Sequence, residues 1–140
     1  MRGQKRAVRA VTVGALVLLL LAGCGGTTTR RDFRHDADAV SSIAAEGALL
    51  AGEVEAGRTT TRFAKVHGTE LGDTAAELAS TLRRSRPGEP LPVGALARVA
   101  DDVAERLHRV AEHPPDPAAN RLRAQLLRLS DRAARLSEAV

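Results

Sequence analysis

The residue with the most distinctive chemistry in this sequence is Cys24, the only cysteine among 140 residues. It ends the apolar stretch LLLLAG and is followed by two glycines. A chain with one cysteine cannot close an internal disulfide, so a crosslinking role does not explain this thiol. The surroundings favour a thiol that is kept as a nucleophile for covalent modification.

The residues before Cys24 have the three-part layout of a secretory signal peptide. A basic start, MRGQKRAVR, precedes an apolar run over about residues 10–21 and then a site of small residues. The run offers roughly a dozen apolar residues, whereas a transmembrane helix needs about 20. The leader has no twin arginine, which favours the general secretion route. Residues 1–23 are therefore predicted to be a cleaved leader.

The site itself, Leu21-Ala22-Gly23-Cys24, resembles the lipobox of bacterial lipoproteins, which reads Leu, a small residue, Gly or Ala, and then Cys. The resemblance implies a diacylglycerol on the Cys24 thiol, recognition and cleavage by a peptidase at Leu21, Ala22 and Gly23, and attachment to the extracytoplasmic face of the cell membrane. Two acyl chains anchor a protein stably, whereas one does so only marginally. The alternative is a buried structural cysteine beside an ordinary signal peptide, but no A-x-A-like cleavage site is evident. No further cofactor is expected.

A second candidate chemistry is a metal site between helices. Di-iron bundles use a Glu from each of two helices and a Glu-x-x-His motif from each of the other two. Glu105 and His108 have that spacing once, but they lie about 120–180° from the apolar stripe of their segment, so we expect them to face solvent. His67 falls within an apolar stripe that includes Phe63, with Glu70 at its edge. We expect a core or boundary histidine paired with Glu70 or a threonine, and the alternative is a metal ligand or a pH-responsive group.

Charged residues recur at helical spacing in two further segments. Near the C-terminus the recurring residues are Arg121, Arg128 and Arg135, with Arg132 nearby. Earlier in the chain Glu46 and Glu53 share a face in the same way. The expected role of both sets is ion pairing, either between helices or exposed to solvent, and the alternative is a surface for anionic lipid or an acidic partner. Three other arginines are too interleaved with acidic residues to strengthen that alternative: Arg98, Arg106 and Arg109.

Composition argues against several classes of function. The chain has 21 basic and 17 acidic residues, but four of the basic ones precede the apolar run, which leaves equal numbers from Cys24 onward. The mature chain is thus formally neutral, and no nucleic-acid partner is expected. Aromatic residues make up 1% of the chain, too few for sites built on stacking. No phosphate-binding Gly-rich loop, G-x-S-x-G motif or Cys/His pair appears, so no enzyme activity is expected.

Four segments after the leader have the apolar spacing of amphipathic helices, at about 36–56, 61–84, 95–112 and 117–140. Gly57 is placed to end the first, and the Pro-rich stretch RPGEPLPVG separates the second from the third. Prolines at 114 and 115 stop the third. Gly68 and Gly72 weaken the second segment and leave open a break within 68–73.

The sequence therefore predicts an all-α protein, a small antiparallel four-helix bundle with a core of Leu, Val and Ala. The predicted organisation is a leader at 1–23, the lipidated Cys24 with a flexible tether at 24–34, and the bundle at 35–140. The predicted function is a lipid-anchored, non-catalytic binding or structural module that contacts another envelope protein or a second copy of itself. The alternatives are a metal-binding bundle that uses His67 and Glu70, and an accessory factor of cell-wall metabolism.

Overall fold

The computed structural model describes residues 27–112 and 119–140. The elements, in chain order, are β1 (Thr27–Thr28), α1 (Arg30–Glu55), α2 (Thr61–Arg84), β2 (Arg86–Pro87), α3 (Val93–Glu112) and α4 (Ala119–Glu138). The four helices confirm the predicted all-α bundle. The predicted leader and lipobox lie outside the described residues.

The helices pack as two close pairs, α1 against α4 and α2 against α3. In the first pair Ser41 contacts Ser130, and the Arg123 side chain lies beside Gly52. In the second pair Asp73 contacts His108, and Arg83 contacts Asp101. In each pair the residue numbers rise along one helix as they fall along the other. Both pairs are therefore antiparallel.

The core between these pairs is built almost entirely from aliphatic side chains. Its largest fully buried members are Phe33, Leu82, Leu96, Leu107, Leu126, Val40, Val99 and Val103. Alanines and glycines fill the remaining positions on the inner faces, which allows the helix backbones to approach each other closely. Phe33 is the only aromatic side chain in this core.

The first helix begins at Arg30, so the predicted start near Asp36 is wrong. Thr29 is the N-cap: its Oγ1 accepts a hydrogen bond from the Asp32 backbone N–H, and the Asp32 carboxylate accepts one from the Thr29 backbone N–H at 3.0 Å. The hydrogen bonds from the Thr29 hydroxyl and N–H lower the pKa of the Asp32 carboxyl. Arg31 and Arg34, expected in a flexible tether, lie in the first turns of α1 because this capping box extends the helix upstream of its apolar stripe.

Two short extended segments hold the start of α1 against the connector between α2 and α3. Thr27 and Thr28 pair in parallel with Arg86 and Pro87. Next to this pairing, the Glu89 carboxylate accepts hydrogen bonds from the backbone N–H and the guanidinium of Arg30 at 3.1 and 3.0 Å. The point at which the chain joins the bundle is therefore fixed to the connector.

The second helix is continuous through the glycines that left a break open. A Cβ added at Gly68 would lie 3.2 Å from the Cβ of Ala111 and 3.3 Å from the carbonyl oxygen of Leu107. At Gly72 an added Cβ would lie 2.5 Å from the imidazole of His108. These glycines therefore provide the close approach of α2 to α3.

Candidate functional site

The lipobox residues, Leu21 to Cys24, lie outside the described residues, and lipidation of Cys24 stays a prediction. The structure describes the end of the bundle at which the chain enters it at Thr27. We call this the proximal end, formed by residues 27–34, 84–93 and 135–140. The opposite, distal end contains the turn between α1 and α2, where Gly57 adopts a positive φ of 66°. None of the described helices is long and apolar enough to span a bilayer.

His67 lies at the boundary of the bundle and bridges α1 and α2. Its Nε2 is 2.8 Å from a carboxylate oxygen of Glu46, whereas its Nδ1 is 3.8 Å from Glu70 on its own helix. The ring stacks at a tilt against Phe63, with centroids 5.3 Å apart. The expectation of a boundary histidine with an acidic partner agrees with this geometry, but the nearer partner is Glu46. Within residues 27–112 and 119–140, no group of three or more His, Cys, Asp or Glu is arranged to hold a metal ion.

Glu105 and His108, the one Glu-x-x-His pair, contact different neighbours. Glu105 is exposed, as expected, and forms ion pairs with Arg106 and Arg109. The His108 side chain is 38% exposed, so it faces solvent in part as expected, but its ring also packs over Gly72 and its Nε2 lies 3.1 Å from the Asp73 carboxylate. The absence of a side chain at Gly72 creates the space for this ring. Helical angle alone could not reveal that space.

Three of the recurring arginines meet on one concave surface, which we call the arginine groove. It is a groove of about 420 Å³ between α3 and α4. Its lining residues are Arg106, Gln125, Arg128, Leu129, Arg132 and Arg135. Arg121, which has the same heptad spacing, does not line it. The sequence placed Arg128, Arg132 and Arg135 on one flank of the helix together with Arg121, and only the first three line the groove.

The arginines of this groove differ in their ion pairs. Arg106 lies 3.2 Å from a carboxylate oxygen of Glu105 and 3.5 Å from one of Asp102. In the described part of the chain, no carboxylate lies within ion-pair distance of the three α4 arginines, Arg128, Arg132 and Arg135. The expected ion pairing is therefore absent at these three residues.

A second groove, of about 320 Å³, lies between α1 and α2 towards the distal end. We call it the apolar groove, and its lining residues are Glu46, Leu49, Leu50, Glu53, Arg58, Thr59, Phe63 and His67. Leu49 is 70% exposed and Phe63 is 54% exposed, and Val66, one turn beyond Phe63, is 52% exposed. Exposed apolar side chains grouped in this way are typical of interaction surfaces.

The position of Phe63 corrects the predicted core stripe of α2. The face that is buried carries Ala64, Gly68, Leu71 and Ala75, and Phe63 lies outside it. At the rim of the apolar groove Arg58 donates two hydrogen bonds to Glu53, at 2.9 and 2.7 Å. This pair lowers the pKa of the Glu53 carboxyl and raises the pKa of Arg58.

The chain matches no protein-family model, no curated protein and no solved structure.

Proposed function

We propose that this protein is a lipoprotein anchored through Cys24 to the extracytoplasmic face of the cell membrane, and that its bundle is a non-catalytic binding module for another envelope protein. The observation that carries the anchor is the four-residue match of Leu21-Ala22-Gly23-Cys24 to the lipobox at the end of a leader-like segment. A folded domain follows almost at once, since pairing begins at Thr27.

This short spacing would hold the proximal end close to the lipid. Three peptide steps separate Cys24 from Thr27, and a fully extended chain covers at most about 10 Å over that distance. Thr27 is in turn fixed to the α2–α3 connector. Three exposed arginines lie near this end: Arg31, Arg34 and Arg86. Each would add roughly 1 kcal/mol of membrane attraction if the nearby lipids are anionic.

The same geometry would place the apolar groove away from the membrane. The α1 helix has 26 residues and is therefore about 39 Å long. With the bundle standing on its proximal end, Leu49 and Phe63 project well beyond the headgroups. We therefore propose that a protein, and not the bilayer, covers them.

The carboxylates around the groove favour a different protein over a second copy of this chain. In a two-fold symmetric contact the same patch meets itself. Glu46, Glu53 and Glu70 outnumber Arg58 around the groove, so two surfaces of net negative charge would face each other, which is unfavourable in a desolvated contact. The matching partner is a protein segment with apolar side chains flanked by basic residues.

The anchor is tested with Cys24→Ser in a bacterial host that processes lipoproteins. We expect the wild-type protein in the membrane fraction, with residues 1–23 removed and the mass of a diacylglycerol on Cys24. The variant should lack that mass and be depleted at least about tenfold from the membrane fraction, because the acyl chains supply the stable attachment. A control at an exposed site, Ser42→Ala, should behave as wild type. A soluble wild-type protein with residues 1–23 intact would contradict the anchor.

The binding surface is tested by a photocrosslinking amino acid at Leu49 in intact cells, with the same probe at exposed Asp38 on the same helix as the control. We expect an adduct with a different protein at position 49 only. Adding Phe63→Ala should reduce its yield at least about fivefold, as expected for loss of an aromatic anchor. Equal adducts at both positions, no adduct, or an adduct of twice the chain mass would each overturn the proposed partner.

A further inference from the structure

The proposed docking surface is the apolar groove, and it leaves the arginines of the arginine groove without a role. We propose that the arginine groove is a binding site for phosphate groups, with guanidinium groups from α4 as its main donors. The proposal rests on the described residues and does not depend on lipidation of Cys24.

The spacing of the α4 arginines brings their side chains together. Arg128, Arg132 and Arg135 are related by steps of four and three residues, so they lie within an arc of about 60° around the helix. Along the helix axis they span about 10 Å. A diphosphate, or a phosphodiester with a neighbouring charged group, fits within that length and within a groove of about 420 Å³.

The groove has an excess of positive charge that the protein itself does not neutralise. On the α3 side, Asp102 and Glu105 already pair with Arg106. On the α4 side, Asp131 forms no ion pair with the neighbouring arginines in the described structure. Like charges three and four residues apart on a helix repel each other. An anion bound among them would replace this repulsion with attraction.

Guanidinium groups suit phosphate in particular. Each presents a planar fork of N–H donors that can bind two oxygens of one phosphate group. Gln125 adds an amide donor to the same lining. The lining contains a single apolar side chain, Leu129, whereas peptide interfaces depend on several buried apolar anchors. The composition of the groove therefore favours a phosphate ligand over an acidic protein segment.

The phosphate can belong to a soluble molecule or to a lipid headgroup. Arg135 lies in the last turn of α4, at the proximal end. On an anchored protein this end of the groove is near the membrane, so a headgroup could reach it. Only this access of a lipid headgroup to the groove depends on the proposed function.

The site is tested by calorimetric titration of the full chain in detergent with sodium pyrophosphate. We expect one pyrophosphate per chain, about tenfold weaker binding in Arg132→Gln, and at least about 100-fold weaker binding in Arg128→Gln/Arg132→Gln, because each lost guanidinium removes a charge-assisted hydrogen-bonding group. Arg121→Gln makes the same charge change on the same helix outside the groove and should bind within about twofold of wild type. Circular dichroism checks that each variant retains its helix content.

Three outcomes would overturn the phosphate site: no binding by wild type, equal weakening in Arg121→Gln, or tighter binding of hexaglutamate than of pyrophosphate.

The source of the phosphate is resolved with the Cys24→Ser chain and phosphatidylcholine vesicles with or without phosphatidylglycerol. Binding that requires phosphatidylglycerol, is displaced by pyrophosphate and is lost in Arg128→Gln/Arg132→Gln supports a headgroup. Pyrophosphate binding without that vesicle binding supports a soluble ligand. The two proposals can fail separately. If the Cys24→Ser protein binds pyrophosphate normally but is as abundant in the membrane fraction as wild type, the anchor is contradicted and the phosphate site is supported.

Discussion

Replacing Phe33 with alanine is expected to lower the free energy of unfolding by about 3–5 kcal/mol. Phe33 is fully buried, and the other buried members of its core cluster are Leu, Val and Ala. Closely packed aliphatic side chains can collapse only partly into the cavity that the ring would leave. A small domain is stable by about 5–15 kcal/mol, so this one change removes a large share of the total.

The matched control is the other phenylalanine of the chain, Phe63. Because its side chain is 54% exposed, Phe63→Ala should change the free energy of unfolding by no more than about 0.5 kcal/mol. Urea unfolding followed by far-ultraviolet circular dichroism measures both variants, and the slope m should stay constant. Equal losses would mean that Phe63 is a core residue. The apolar groove would then lose its main side chain, and with it the proposed docking surface.

The contrast between the two phenylalanines illustrates what apolar spacing can predict. In α3, predicted at about 95–112, every large aliphatic residue at helical spacing is buried, and these residues are Leu96, Val99, Val103, Leu107 and Val110. In α2 the predicted stripe is correct farther along the helix, where Leu71 is buried, but wrong at Phe63, because Ala64 and Gly68 form the inner face at the start of the helix. That face is lined with small residues because α3 approaches closely there. Periodicity identifies a stripe, whereas the partner helix determines where it is centred.

Among the candidate sites, too, local spacing predicts some features, and others depend on how the helices pack. The spacing of Arg128, Arg132 and Arg135 placed them on one flank of a helix, but the absence of opposing carboxylates depends on how α3 lies against α4. The Glu46–His67 contact likewise joins residues on two helices, and no local pattern specified it. The predicted lipobox differs from these sites because the resemblance depends on four consecutive residues. Its prediction needs no tertiary structure, and for the same reason the bundle does not test it.

The close approach of α1 to α3 gives a further prediction, in which Gly47→Ala lowers the free energy of unfolding by about 1–3 kcal/mol. A Cβ added at Gly47 would overlap the Cδ2 of Leu107 and lie 3.4 Å from the Cδ1 of Leu126. Both leucines are fully buried, so neither can move aside without displacing other core side chains. This overpacking should outweigh the gain of up to about 1 kcal/mol that alanine offers over glycine inside a helix.

The control is the same substitution at Gly52, farther along the same helix. There an added Cβ would lie 3.5 Å from the aliphatic part of the Arg123 side chain, which is an ordinary contact. Gly52→Ala should therefore raise the free energy of unfolding by about 0.5–1 kcal/mol, the expected gain from alanine in a helix interior. Urea unfolding should give opposite signs for the two variants. A stabilising effect of Gly47→Ala would contradict the close packing of α1 against α3. The added methyl group would then fit between Gly47 and Leu107, so the two helices would be farther apart there.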